Sequence, residues 1–451
     1  MKAFPILAAI FSLGMATAAV AQSVSQDAPQ SPLIEVVGPA HLGAEAPPLA
    51  MGSDIESRNV LVAGFSLGAA YDTRGLYNSK TNNFSGDERY FVQPSVAFQR
   101  TFSEGAWTLS YTPGFSYSPN DVDNNQYTQN FAGDIVWKPN SRVQVHARQD
   151  YSLTDNPFET VGRVDLLPGL GGPLGPNYNG IIPDTRRTSV VSNLDVSYAV
   201  AEHSAIGFTG GFQKYDYSST QTATSSISYE NSEVINGSVF YSHQFLRELT
   251  AGVQVAYSDY YSTGLDTSRT QAPAPMLFVK LLPNPSTEIT LYGGGQYART
   301  SERFAVSSVT ISEPLQTNWY PTFGGTVAWS HRRQAFDATA DERISNGGGV
   351  LAAVRSINAG GGYRVRLAQR LLAEARVNYG DEKALGSYSK GDYLRSVWAG
   401  GGPVIDINRS WSVRGDVAYV HQEEFGLGQV AGNHLLVQGS LDFRFKKNLG
   451  D

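Results

Sequence analysis

Cysteine is absent from the 451 residues, which excludes a disulfide scaffold, a Cys-ligated zinc or iron–sulfur site, a thiol nucleophile and a lipid-modified N-terminal cysteine. Positive charge is not in excess. With 34 Lys and Arg against 41 Asp and Glu, the net charge is −7, and the basic face of a dedicated nucleic-acid binder is missing. Long apolar runs are also missing: past the N-terminus no eighteen consecutive apolar residues occur, so nothing there crosses a bilayer as a helix. Mean hydropathy is −0.25. A bundle of membrane helices is therefore out, whereas a membrane protein of another kind is not. Methionine is scarce at 4, while glycine (46), Tyr (24) and Phe (21) are plentiful.

The N-terminus points to a compartment. Lys2 supplies a positive n-region, Ile6 to Val20 a short apolar stretch, and Ala19-Val20-Ala21 an A-x-A cleavage site before Gln22, the pattern of a secretory signal peptide. Residues 1–21 are thus expected to be removed between Ala21 and Gln22. Residues 22–58 carry Pro29, Pro32, Pro39, Pro47 and Pro48 and show neither helical nor strand periodicity, as suits a flexible periplasmic lead-in. This segment is too short to form the folded plug of a TonB-dependent transporter.

From Asn59 onward the dominant pattern is alternation with period two, the strand template. Trp107, Leu109, Tyr111, Pro113, Phe115 and Tyr117 interleave with Thr108, Ser110, Thr112, Gly114 and Ser116, so one face is apolar and the other small and polar. Such segments begin near residues 60, 89, 106, 127, 142, 188, 204, 233, 249, 271, 287, 317, 334, 352, 370, 393, 410 and 434. Their connections alternate in length. Short ones include Phe102 to Gly105, Ala201 to His203 and Asp406 to Arg409; long ones include Thr73 to Glu88, Leu153 to Arg187, Asp216 to Ser232, Thr300 to Gln316 and Asp381 to Asp392. Short turns on one rim and long loops on the other are what an outer-membrane barrel requires.

The aromatics supply an independent check. Trp107, Trp137, Trp329 and Trp411 fall on the apolar face beside short turns, while Tyr71, Tyr90, Tyr117, Tyr127, Tyr151, Tyr297, Tyr379, Tyr393 and Tyr419 fall near long loops, which reads as two interfacial girdles. The alternative is a soluble β-sandwich or solenoid, but sandwich strands average about five or six residues and these are about twice that. The expected fold is therefore all-β: a transmembrane, antiparallel, up-and-down barrel of about 18 strands over residues 59–446, resident in the outer membrane.

The segments Ser66-Leu67-Gly68-Ala69-Ala70-Tyr71-Asp72, Trp107 to Tyr117, Phe240-Tyr241-Ser242-His243-Gln244-Phe245-Leu246 and Ala328-Trp329-Ser330-His331-Arg332, the last followed by Gly347-Gly348-Gly349, resemble the β-barrel porin-2 family of bacterial outer-membrane proteins. The resemblance spans about residues 60 to 446 and implies a barrel, outer-membrane residence and, for some relatives, a link to exopolysaccharide or protein-sorting systems. It implies no catalytic residue. One departure is that Phe445 is followed by Lys446 to Asp451, whereas barrels often end on an aromatic.

No histidine lies in a hydrolase or metalloprotease pattern, so no catalytic, cofactor-binding or metal site is expected. The glycine clusters 293–295, 360–362 and 400–402 fall inside strands, where they relieve crowding or permit bending. What remains is the pore. Inward positions are expected to include His146, Arg148, Asp150, Asp195, Asp337, Asp341, Arg343, Glu374, Arg376, Arg414, Asp416, Asp442 and Arg444. Their charges either set up a transverse field or simply pair and solvate. The segment Leu153 to Arg187, with Asp155, Glu159, Arg163, Asp165, Asp184, Arg186 and Arg187, is a candidate constriction loop or else an extracellular loop. The functional expectation is a passive channel for small hydrophilic solutes. Alternatives are a barrel exporting polysaccharide and an occluded surface barrel. Expected partners are outer-membrane lipid, lipopolysaccharide and the barrel-assembly machinery, with no nucleic acid.

Overall fold

The computed structural model describes residues 59–78, 83–119, 125–154, 186–218, 231–263, 266–306, 309–312, 315–347, 353–385, 392–425 and 432–449. They form one antiparallel sheet that closes on itself. Its first strands are β1 (Val60–Asn78), β2 (Asn83–Phe102), β3 (Gly105–Tyr117), β4 (Gln126–Asn140), β5 (Val143–Thr154) and β6 (Arg186–Ala201). The sheet continues through β7 (Ser204–Ser218), β8 (Asn231–Leu246), β9 (Leu249–Thr263), β10 (Asp266–Asn284), β11 (Thr287–Val306), the short β12 (Val309–Ser312) and β13 (Gln316–His331). It ends with β14 (Gln334–Asn346), β15 (Ala353–Ala368), β16 (Leu371–Ala384), β17 (Tyr393–Asp406), β18 (Trp411–Phe425) and β19 (Gly432–Asn448).

Eighteen of these strands cross. β12 only extends a hairpin on β11, and β13 takes the place beside β11 in the wall. Closure comes from β1 on β19, in register from Val60 opposite Asn448 to Asp72 opposite Leu436. No sheet edge is then left in hydrocarbon, where each unpaired N–H or C=O is costly. The expected end of the last strand needs one adjustment, because β19 runs past Phe445 to Asn448 and β1 pairs with it throughout.

Two of the expected long loops are largely strand. β1 reaches Asn78 and β2 starts at Asn83, and β11 reaches Val306 before turning into β12. The cause is physical: outside the membrane a hairpin still pairs its backbone but no longer needs an apolar face, so the alternation fades while the ladder continues.

The outward face is the apolar one. Val239, Leu277 and Trp319 are 61, 65 and 66% exposed, fractions that only a lipid-facing surface makes tolerable. Near the short turns the Trp107 ring packs tilted against Phe98 (4.9 Å between centroids) and Trp411 against Phe443 (4.9 Å). At the other rim Tyr71, Tyr90, Tyr117, Tyr127, Tyr151 and Tyr419 stand outward. Beyond that belt charge pairs begin on the same face, Arg269 with Asp259 at 2.6 Å and Arg395 with Asp381 at 3.3 Å. Charges there mark the end of the hydrocarbon band.

On the inward face, bulky rings lie over glycines of the next strand. Phe91 covers Gly68, Phe240 covers Gly207, Phe278 covers Gly252 and Tyr292 covers Gly324, and a Cβ at any of the four would collide with the ring. Gly294, inside one of the singled-out clusters, leaves room for Met276, whose Cγ would stand 2.9 Å from an added Cβ.

Candidate functional site

The interior begins with charge on three neighbouring strands. In β5 the even positions face inward, since Tyr151 on the odd phase is exposed to lipid. His146 is opposite Asp195 of β6, and Arg148 is opposite Asp134 of β4. The geometry follows from that register: His146 Nε2 lies 2.7 Å from Asp134 Oδ2, and Nδ1 lies 3.6 Å from Asp195 Oδ2. Arg148 grips Asp150 through Nε and Nη2 at 2.7 and 3.0 Å.

A second group lies on β14, β15 and β16, where Arg343 meets Asp341 at 3.0 Å and Glu374 takes Arg364 at 2.8 Å and Arg376 at 3.5 Å. Asp337 is opposite Gly362, and its carboxylate occupies the space a side chain there would fill. Across the closing seam Asp442 accepts a 2.6 Å bond from Ser66, and Asp416 accepts a 3.4 Å bond from Gln438. Arg414 and Arg444 share that inward phase with Asp416 and Asp442. Acids and bases are intermixed, so the charges largely neutralise one another locally. They do not form two opposed walls.

Of the residues singled out in the 153–187 segment, Asp155, Glu159, Arg163, Asp165 and Asp184 lie outside the described residues, as do Ala21 and Gln22 of the expected cleavage site. Arg186 and Arg187 open β6, and the Arg187 guanidinium lies 5.4 Å from the centre of the Tyr215 ring. Among the described residues no cluster of three or more His, Asp or Glu is arranged to hold a metal ion. Ser204 Oγ and His243 Nδ1 are 2.9 Å apart at a short turn, a direct cross-strand pair with Tyr241 as the other hydroxyl neighbour.

A feature with no forewarning in the charge pattern sits between β13 and β14. Their ladder climbs from His331 opposite Gln334 to Phe323 opposite Glu342 and stops. Each strand continues on its other side, β13 to Gln316 against β11 and β14 to Asn346 against β15. Two residues further up, Pro321 would face Ile344, and proline has no N–H to give. The Ile344 backbone finds partners on the inner wall instead. Its N–H donates to Gln296 Oε1 of β11 at 3.0 Å, and its carbonyl accepts from the Tyr260 hydroxyl of β9 at 2.7 Å. Gln296 also accepts from the Thr322 hydroxyl (3.1 Å), and Asn346 Nδ2 donates to Ser232 Oγ of β8 (3.0 Å).

Packing follows the same path. Ile344, 1% exposed, is clustered with Val234, Tyr260, Ala272 and Ala298, with Ala353 of β15 and Leu385 beside them. The upper end of the β14–β15 pair therefore leaves the cylinder and lies inside it, across the inner faces of β11 to β8. Lower on the same wall Phe240, Ala256, Ala274, Met276, Phe278 and Tyr292 form a second buried apolar cluster.

Eighteen antiparallel strands, full closure, lipid-facing apolar residues and two aromatic belts settle the architecture. The fold is that of the bacterial outer-membrane β-barrels. No protein-family model matches the chain, and no curated protein matches it in sequence, so the resemblance to the porin-2 family rests on the quoted segments alone. Solved structures with a similar barrel include the ferric-catecholate import receptor Fiu of Escherichia coli K12, at 10% identity over 84% of this chain and 68% of that one, with a TM-score of 0.42. The ferric citrate transporter FecA is 10% identical over 86% of this chain and 79% of its own, TM-score 0.42. OccAB4 of Acinetobacter baumannii is 7% identical over 87% and 100%, TM-score 0.39. At such identities and scores nothing about binding or transport passes from them to this chain.

Proposed function

We propose that this barrel is a passive outer-membrane channel for small hydrophilic solutes. The observation that supports it is the sector formed by β4, β5 and β6. There the inward-facing His146, Asp195 and Asp150 keep 36, 31 and 29% of their side-chain surface, as groups bordering water do. The apolar cluster on the inner wall of β8 to β11 is dry by contrast: Ala274 is 0% and Phe278 3% exposed. The aqueous path runs along the charged sector, and a barrel of this strand number is wide enough to hold one. Because acids and bases are paired there, passage depends on size and polarity more than on the sign of charge.

The test is planar-bilayer recording of the purified, heat-modifiable barrel with ion-selectivity measurement. Discrete, weakly selective conductance steps are expected. A correctly folded barrel that stays silent would refute the channel. The dry apolar cluster on β8 to β11 and the inward end of β14 favour one rival, an occluded surface barrel, and that silence is its signature.

A further inference from the structure

We infer that the inward end of the β14–β15 pair is the constriction of the channel, and that Ser232, Tyr260 and Gln296 are the side chains that fix its position. This rests on the channel reading above and adds what sets the exclusion limit. The ladder between β13 and β14 ends at Phe323 and Glu342, so the upper part of β14 is free to leave the wall. Its edge is then held by side chains and not by a neighbouring strand: Tyr260 on the Ile344 carbonyl, Gln296 on the Ile344 N–H and Ser232 on Asn346. Those anchors belong to β9, β11 and β8, strands that are not neighbours of β14 in the sheet, so the segment has to cross inside the barrel to reach them.

Such an anchorage differs from a wall strand in how it can be released. A ladder of main-chain bonds opens only by unfolding the barrel, whereas three side-chain hydrogen bonds and the packing of Ile344, Ala353 and Leu385 can separate while every other strand stays paired. Arg343 and Asp341 at the base of the inward segment neutralise each other at 3.0 Å. The constriction accordingly sieves small polar molecules by size.

Two variants of the full chain test this. Tyr260→Phe combined with Gln296→Leu removes both bonds to Ile344 while keeping bulk. It is expected to raise single-channel conductance and to admit larger neutral sugars in liposome swelling. Unchanged conductance and exclusion limit in a folded variant overturn the inference. Ser232→Cys with Asn346→Cys places the only two thiols of a cysteine-free chain side by side. A short bifunctional thiol reagent is expected to join them within one chain. Failure to join, with each thiol still labelled singly, also overturns it, and this measurement decides alone if the first variant does not fold. A silent wild type with a conducting Tyr260→Phe/Gln296→Leu variant removes the open-channel reading and keeps the constriction; silence in both removes the two together.

Discussion

Replacing Tyr260 by Phe deletes one oxygen and leaves the ring in its cluster with Val234, Ala272, Ala298 and Ile344. Tyr260 is 3% exposed, and its hydroxyl bonds the Ile344 carbonyl at 2.7 Å. No strand stands ready to take over that carbonyl, because the residue that would face it is Pro321. The cost is therefore that of stranding a buried acceptor, about 1–3 kcal/mol. It falls on docking of the β14–β15 end and not on the barrel, since no ladder bond is touched. Converted at about 1.4 kcal/mol per decade, local opening should rise roughly 5- to 150-fold. Amide hydrogen exchange reads this directly: residues 343–346 and 353–356 should exchange faster by that factor, while β3 and β9 keep wild-type protection. Tyr257→Phe is the control, for Tyr257 stands on the lipid face of the same strand at 42% exposure. Equal protection of residues 343–346 in wild type and Tyr260→Phe would show that the hydroxyl does not hold this edge.

Other expectations follow from single contacts. Asp442→Ala strands Ser66, which is fully buried at the closing seam. A bond to a charged partner contributes about 1.5–3 kcal/mol, so the temperature at which the barrel loses its compact gel mobility should fall, and Asp442→Asn should recover most of it. Gly252→Val sets a side chain against the Phe278 ring and the Tyr241 carbonyl. An overpacking cost of about 1–3 kcal/mol should appear as a lower urea midpoint, whereas Gly415→Ala, with only Pro403 at 3.9 Å, should leave it unchanged. Asp134→Asn with Asp195→Asn removes both acidic neighbours of His146. Reversal potentials in a salt gradient should move toward anions, and an unmoved potential would mean that the permeant path avoids β4 to β6.

The strands were most legible at the short-turn rim. The apolar alternation places starts at residues 204, 249, 287 and 334, where β7, β9, β11 and β14 begin, because apolar residues there run down to a tight turn that ends the pattern. At the opposite rim the same signal fails early. β2 begins at Asn83 and not near residue 89, and residues 300–316 hold the top of β11 together with β12. Pairing in water needs no alternation of hydrophobicity, so a reading built on alternation stops where the membrane does.

The interior divides along a similar line. His146 and Asp195 can be seen to share a face because period two along neighbouring strands is local information. That Gln296, Tyr260 and Ser232 hold Ile344 and Asn346 cannot be seen in the same way. These contacts join β14 to β11, β9 and β8 across 48, 84 and 114 residues, and each anchor alone looks like any other small or polar inward position. Pro321 adds little as a local signal: a proline withholds one ladder bond, but Pro113, Pro275 and Pro403 also lie inside strands that pair on both sides.

Its height on the wall explains why the edge is tolerated. Pro321 is ten residues above His331 at the short-turn end of β13, and a tilted strand needs about 9–11 residues to cross the hydrocarbon. Below it β13 and β14 pair without a gap, as closure demands where no water can satisfy an open backbone group. At and above it Trp319 is 66% exposed and packs at a tilt against Tyr297, 5.2 Å between ring centroids, the kind of aromatic pair that marks the interface. The missing N–H thus falls where the demand for closure lapses. There the upper part of β13 can leave one side open to headgroups and water, and β14 becomes available to turn inward and be held by side chains.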